Sequence, residues 1–197
     1  MKLTHKKAKG FTLVELLVVI AIIAVLATLA APAIMRALQK AKITKAKGVC
    51  SSFETAVINF ENEYNYLPYG GGGSAPTTDE EVRSDDDVVG VLAGVEDELN
   101  FKQIRFFEQG EPKGSSESSY KDGMKVNRNG GTAKLYDPWG ERYYIIIDYD
   151  LDGEIDNPLQ SSKVISGKKC VVYSTGPDKE KEANNAAGKN QDNPTNF

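Results

Sequence analysis

Residues 16–35 form twenty consecutive positions without a charge, rich in Leu, Ile, Val and Ala on every side. That is about the length a helix needs to cross a bilayer core. Beyond Met35 the apolar positions thin to a single stripe. Leu38, Ala41, Val49, Phe53, Ala56, Phe60 and Tyr64 recur at three- and four-residue spacing, with Lys45 in the same register and Val57 beside it. One helix is therefore expected over residues 11–66, stopping before Pro68 and the glycines at 70–73. At ~1.5 Å per residue it would measure ~85 Å, with half in a membrane and half packed on a domain.

The remainder reads as shorter elements. A flexible loop over 70–78 leads through Asp79, Glu80 and Glu81 into a short helix near 82–95, and the run Asp85-Asp86-Asp87 is expected on its solvated face. Residues 101–107 read as a short strand or packed turn, and 108–133 as an exposed excursion. Asp137-Pro138-Trp139-Gly140 is a turn entering the apolar run 142–147, which has strand length and composition; 169–174 is a second such run. The fold class expected is α+β: a long N-terminal helix packed on a small antiparallel sheet. Its divisions are 1–10, 11–35, 36–66, a variable loop and short-helix region at 67–136, and a sheet region at 137–197.

Charge and composition narrow the chemistry. The formal charge is −4, and four of the 24 Lys and Arg residues fall within the first ten positions. The rest of the chain is acidic, the wrong sign for binding nucleic acid and the right one for divalent cations. The only histidine is His5. If the basic leader is removed, a Ser-His-Asp triad, a Cys-His pair and His-ligated zinc are all excluded, and no catalysis is expected of this chain. Cys50 and Cys170 lie far apart without a Cys-x-x-Cys spacing; they suit either a disulfide in an oxidising compartment or two small buried side chains.

The junction Lys9-Gly10-Phe11-Thr12-Leu13-Val14-Glu15 sets a carboxylate inside the apolar run. A secretory signal cut near Ala30–Ala33, or a plain anchor, leaves Glu15 unexplained. A carboxylate at mid-bilayer costs roughly 2.5–3.5 kcal/mol on insertion scales, so it needs a partner. Cleavage between Gly10 and Phe11 would create an α-amino group one turn from Glu15, in the same chain or a neighbour, where the helix N-terminus also favours an anion.

The run Gly-Phe-Thr-Leu-Val-Glu-Leu-Leu-Val-Val-Ile-Ala-Ile-Ile-Ala resembles the prepilin signature of type IV pilins and type II secretion pseudopilins over 10–26. The resemblance implies cleavage after Gly10 by a prepilin peptidase, N-methylation of Phe11 and a filament-assembly role for Glu15. Pro32 fits the proline often found well into this helix. It further implies a bacterial inner-membrane, single-pass precursor with the leader in the cytoplasm and the globular domain in the periplasm. Such a chain is extracted into a filament with other pilin-like subunits by a secretion or pilus assembly platform. Lysines flank both ends of the span, so the positive-inside count does not itself fix the orientation. Residues 137–178 resemble the C-terminal part of the major pseudopilin, where an Asp-Pro-Trp-Gly turn precedes the sheet and a Tyr-Ser-x-Gly-x-Asp turn follows it.

Two calcium candidates emerge. Asp148, Asp150, Asp152 and Asp156 occupy positions one, three, five and nine of a calcium loop, with Gly153 at six and Ile155 at eight. Leu159 stands where an EF-hand places its bidentate glutamate, and an ion-free acidic hairpin is the alternative. By resemblance to the major pseudopilin, Thr175 and Asp178 mark the second candidate, with Asp192 between Asn190 and Asn193 as its thin acidic follow-up. The function expected is a structural filament subunit, with type II secretion the preferred setting. The alternative is a minor pilin-like binding module that displays a calcium-stabilised domain at a filament tip.

Overall fold

The computed structural model describes residues 10–70, 73–84, 87–182, 190 and 192–197. Most of the leader, the glycines at 71 and 72, and Asp85 and Asp86 of the acidic run lie outside the described residues. The chain divides into two compact units, 1–40 and 41–197, and helix α1 (Leu13–Tyr64) contributes to both.

In the first unit α1 carries its apolar side chains bare. Ile20, Ile23, Leu26 and Met35 are all more than half exposed, and none of the most apolar stretch is buried. The helix is long and apolar enough to cross a membrane. Pro32 lies inside it, where the missing N–H removes one rung of the helix ladder.

In the second unit the stripe becomes core. Ala46, Val49, Cys50, Phe53, Ala56, Val57, Phe60 and Tyr64 are buried, whereas Leu38 and Ala41 remain exposed. The predicted stripe therefore begins to pack about two turns later than its periodicity indicates. Strands β1 (Glu81–Arg83), β4 (Tyr144–Ile147) and β7 (Cys170–Tyr173) form an antiparallel sheet in the order β1-β4-β7. Two hairpins join it: β2 (Gly123–Asn127) with β3 (Thr132–Tyr136), and β5 (Glu154–Asp156) with β6 (Val164–Ser166).

The continuous apolar runs of β4 and β7 follow from burial on both faces. Ile145, Ile147, Cys170 and Val172 belong to the main core with Phe53, Phe60 and Leu135. Their neighbours Ile146 and Val171 meet Ile155 of the β5–β6 hairpin. The alternation is a strand's, but each side has a partner.

Two expectations for 67–136 are corrected. Residues 81–83 are an edge strand and, among the described residues of 82–95, the helix is Asp87–Leu92 (α2), because pairing with β4 overrides a helical reading of so short a stretch. The excursion at 108–133 includes β2 and enters β3. Its polar residues face outward, while Met124, Ala133 and Leu135 supply the buried face. Residues 101–107 form turns. Ser84 links these pieces: its hydroxyl donates to Leu135 O (2.7 Å) and accepts from Tyr143 N–H (2.9 Å).

The C-terminal residues run beside β7. Ser174 N–H donates to Pro194 O (3.0 Å), Val172 N–H to Asn196 Oδ1 (2.8 Å), and the Asn196 amide to Cys170 O (2.8 Å) and Glu54 Oε2 (2.9 Å). Cys50 and Cys170 are free, buried thiols.

Candidate functional sites

At the start of α1, Thr12 and Glu15 bond reciprocally. Glu15 Oε2 accepts from both the backbone N–H and the hydroxyl of Thr12 (2.8 Å each), and Thr12 Oγ1 accepts from Glu15 N–H (3.2 Å). This is the capping-box pattern, Thr-x-x-Glu, which satisfies helix-end donors that have no intrahelical partner. Thr12 is a functional neighbour without a role in the sequence reading, although the four-residue spacing signals it. Gly10 and Phe11 precede the helix in exposed, irregular backbone, and an added Cβ at Gly10 would meet none of the described residues within 4 Å. The peptide bond between them is exposed.

The two C-terminal motif pieces meet. Asp137, at the head of the Asp-Pro-Trp-Gly turn, is fully buried; Oδ1 accepts from Trp139 N–H (2.9 Å) and Glu141 N–H (2.8 Å). Burial raises its carboxyl above the usual range, against the pull of these bonds and of Ser174.

The acidic run after β4 folds into a turn with two left-handed residues, exposed Leu151 (φ 60°) and Gly153 (φ 78°). Asp150 Oδ1 accepts from Asp152 N–H (3.2 Å), and Asp152 Oδ1 from Glu154 N–H (2.7 Å). Ile155, at the loop's eighth position, is fully buried. Asp148 and Asp150 converge with Asp79, a residue that the sequence places only at the start of a helix. One carboxylate oxygen from each lies within 4.8 Å of the others. Asp152 and Asp156 line the same cleft as Asp79 and Asp150 but stand outside that group of three. Asp79 Oδ1 also accepts from Tyr149 N–H (2.8 Å), and Tyr149 Oη donates to Pro68 O (2.8 Å). Burial, reinforced by the charges of Asp150 and Asp148, raises the Asp79 carboxyl above its ordinary value. No sequence signal links Asp79 to residue 148; sheet pairing of β1 with β4 brings them together.

Thr175 is buried and Asp178 exposed, on the turn after β7. Asp178 Oδ1 accepts from Glu180 N–H (3.0 Å). Asp192 is close enough that, after burial, the Asp178 charge contributes to raising its carboxyl. Asn193 Oδ1 is buried without a hydrogen-bond donor among the described residues. Gly176 (φ 72°) lies against the tail, where an added Cβ would come 2.9 Å from Asp192 O.

Residues 5–31 match the family model of the prokaryotic N-terminal methylation motif. No curated protein and no solved structure matches the chain. The matched segment contains Gly10, Phe11, Thr12 and Glu15 and much of the bare apolar helix. That motif implies processing by a prepilin peptidase, membrane anchoring and assembly with other pilin subunits. This N-terminus, on a long helix followed by small antiparallel sheets, gives the chain the type IV pilin and pseudopilin signature and a pilin-like α+β architecture.

Proposed function

We propose that the chain is a structural subunit of a type II secretion pseudopilus, cut between Gly10 and Phe11 and methylated at Phe11. The observation that carries this reading is the Thr12–Glu15 start of an apolar helix whose side chains have no partner within the unit. Outside a bilayer that surface needs other copies of the same helix. Glu15, freed from the capping box, would meet the new amine of Phe11 in the same or a neighbouring subunit. Assembly would then neutralise two charges that are costly in lipid.

Secretion is preferred to a surface pilus because the Asp-Pro-Trp-Gly and Tyr-Ser-x-Gly-x-Asp turns, resembling those of major pseudopilins, are joined here through Asp137 and Ser174. The subunit would be anchored once in the inner membrane, its domain periplasmic, until an assembly platform extracts it. It carries no catalytic role; the peptidase and motor are partners. Calcium at the 175–178 turn fits the buried, donorless Asn193 Oδ1 and the nearby Asp178 and Asp192. Thr175, through its carbonyl, and Asp178 would hold the ion, whose charge would fasten the tail. The second reading, a minor calcium-stabilised binding module at a filament tip, is separated from the first by stoichiometry along the fibre.

Intact mass of protein purified from membranes, with and without prepilin peptidase, tests the reading. A chain beginning at methylated Phe11 is expected, and Glu15→Ala should be processed yet fail to assemble. A chain starting at Met1, or cut near Ala33, would end it.

A further inference from the structure

The cleft of about 430 Å³ beside β4 is lined by the carboxylates of Asp79, Glu81, Asp150, Asp152, Glu154 and Asp156, and none of its described lining residues is basic. Acidic loops are often merely solvated, and the turn's own hydrogen bonds account for much of this one. They do not account for Asp148. That residue is 2% exposed, and its Oδ1 has no hydrogen-bond donor among the described residues. No ion pair between Asp148 and a lysine or arginine occurs among them either. A carboxylate oxygen withdrawn from water and left without a donor is strongly disfavoured, so it calls for a proton or a metal ion.

We propose that Asp79, Asp148 and Asp150 form a calcium site that staples the segment before β1 to the turn after β4. The donors are all hard oxygens, which suit calcium or magnesium and not zinc. Calcium holds oxygens at about 2.3–2.6 Å, so ligands on opposite sides of one ion stand about 5 Å apart. Three oxygens within 4.8 Å of one another fit that shell, whereas magnesium, at about 2.0–2.1 Å, demands a tighter and strictly octahedral set. The site differs from a self-contained calcium loop. Positions five and nine, Asp152 and Asp156, are not in the ligand group, and Asp79 from a distant segment takes their place. Ion binding therefore reports on the docking of residues 73–80. The proposal is independent of the filament reading, since all three residues lie within the second unit.

The test uses the full chain in detergent, stripped with chelator, titrated with calcium by calorimetry and melted with and without the ion. Wild type should gain several degrees in Tm with calcium. Asp79→Asn and Asp148→Asn should each lose one equivalent of bound calcium, or bind it at least tenfold more weakly, while Asp156→Asn keeps it. Without metal, Asp148→Asn should melt at or above wild type, because it no longer buries a charge, and this shows that the variant folds. Wild-type calcium stoichiometry and affinity in Asp79→Asn and Asp148→Asn would overturn the site. So would a melting temperature that rises on acidification but ignores calcium, which would assign a shared proton instead.

Discussion

Ser174 Oγ donates to Asp137 Oδ2 at 2.5 Å, closing the turn before β4 onto the end of β7. The same hydroxyl accepts from Gly176 N–H (3.0 Å), so a single serine holds both turns. Removing it leaves a buried carboxylate one donor short. Ser174→Ala is expected to cost about 1–3 kcal/mol at neutral pH in a urea titration. Burial already raises the Asp137 carboxyl, so its favourable contribution is complete below the ordinary Asp value and is lost as pH rises through the folded-state value. The deficit should shrink when the titration is repeated near about pH 3.5.

Asn100 is a second buried junction. Its amide donates to Val91 O and Ile104 O (2.7 Å each), and its Oδ1 accepts from Tyr64 Oη (2.6 Å) and Ile104 N–H (3.0 Å). Asn100→Ala orphans all four and should destabilise the domain by about 3 kcal/mol, whereas Tyr64→Phe should cost about 1 kcal/mol. Thermal unfolding of the two variants beside wild type checks the ratio.

Asp122 ties α1 to the β2–β3 hairpin through Lys45 and Lys113, both at 2.6 Å. Burial pushes its carboxyl up, but the two lysines outweigh burial and hold it below the usual range. A depressed folded value means stability present above the ordinary Asp value of about 3.9 and lost as pH falls through the lower one. Asp122→Asn should cost about 1 kcal/mol at pH 7 and nothing once wild-type Asp122 is protonated. Denaturant midpoints across pH 2–7 test the slope.

Cys50 and Cys170 are both fully buried, and burial pushes both thiols well up. Each stays protonated at pH 8 and unreactive as a nucleophile. Iodoacetamide should add nothing to the native protein and two groups after denaturation, as read by mass. One or no adduct in the denatured sample would mean oxidised cysteines.

Thr12→Ala should loosen the first turn of α1. Loss of the cap is worth about 1 kcal/mol, or about fivefold less amide protection near residues 13–16 in detergent. Hydrogen exchange on the full chain measures it.

The long helix and the sheet were legible because their signals are local. Twenty uncharged positions, a stripe ending before Pro68, and apolar runs at 142–147 and 169–174 each dictate their element without help from elsewhere. Residues 81–83 were not legible, since their strand state depends on β4, distant in the chain; 123–136 pair with each other, but their short, charged segments carry little period. The acidic run announced Asp148 and Asp150 by spacing alone. Asp79 became visible only through the β1–β4 pairing, and the donorless state of Asp148 only through burial.

The tail laid beside β7 occupies the hydrogen-bonding groups that a sheet edge otherwise offers to any passing strand. For a subunit stored and assembled at high local concentration, this matters as much as stability does. Strand-to-strand joining between copies through the β7 edge is thereby suppressed. The last few residues thus act as a guard against the wrong polymer.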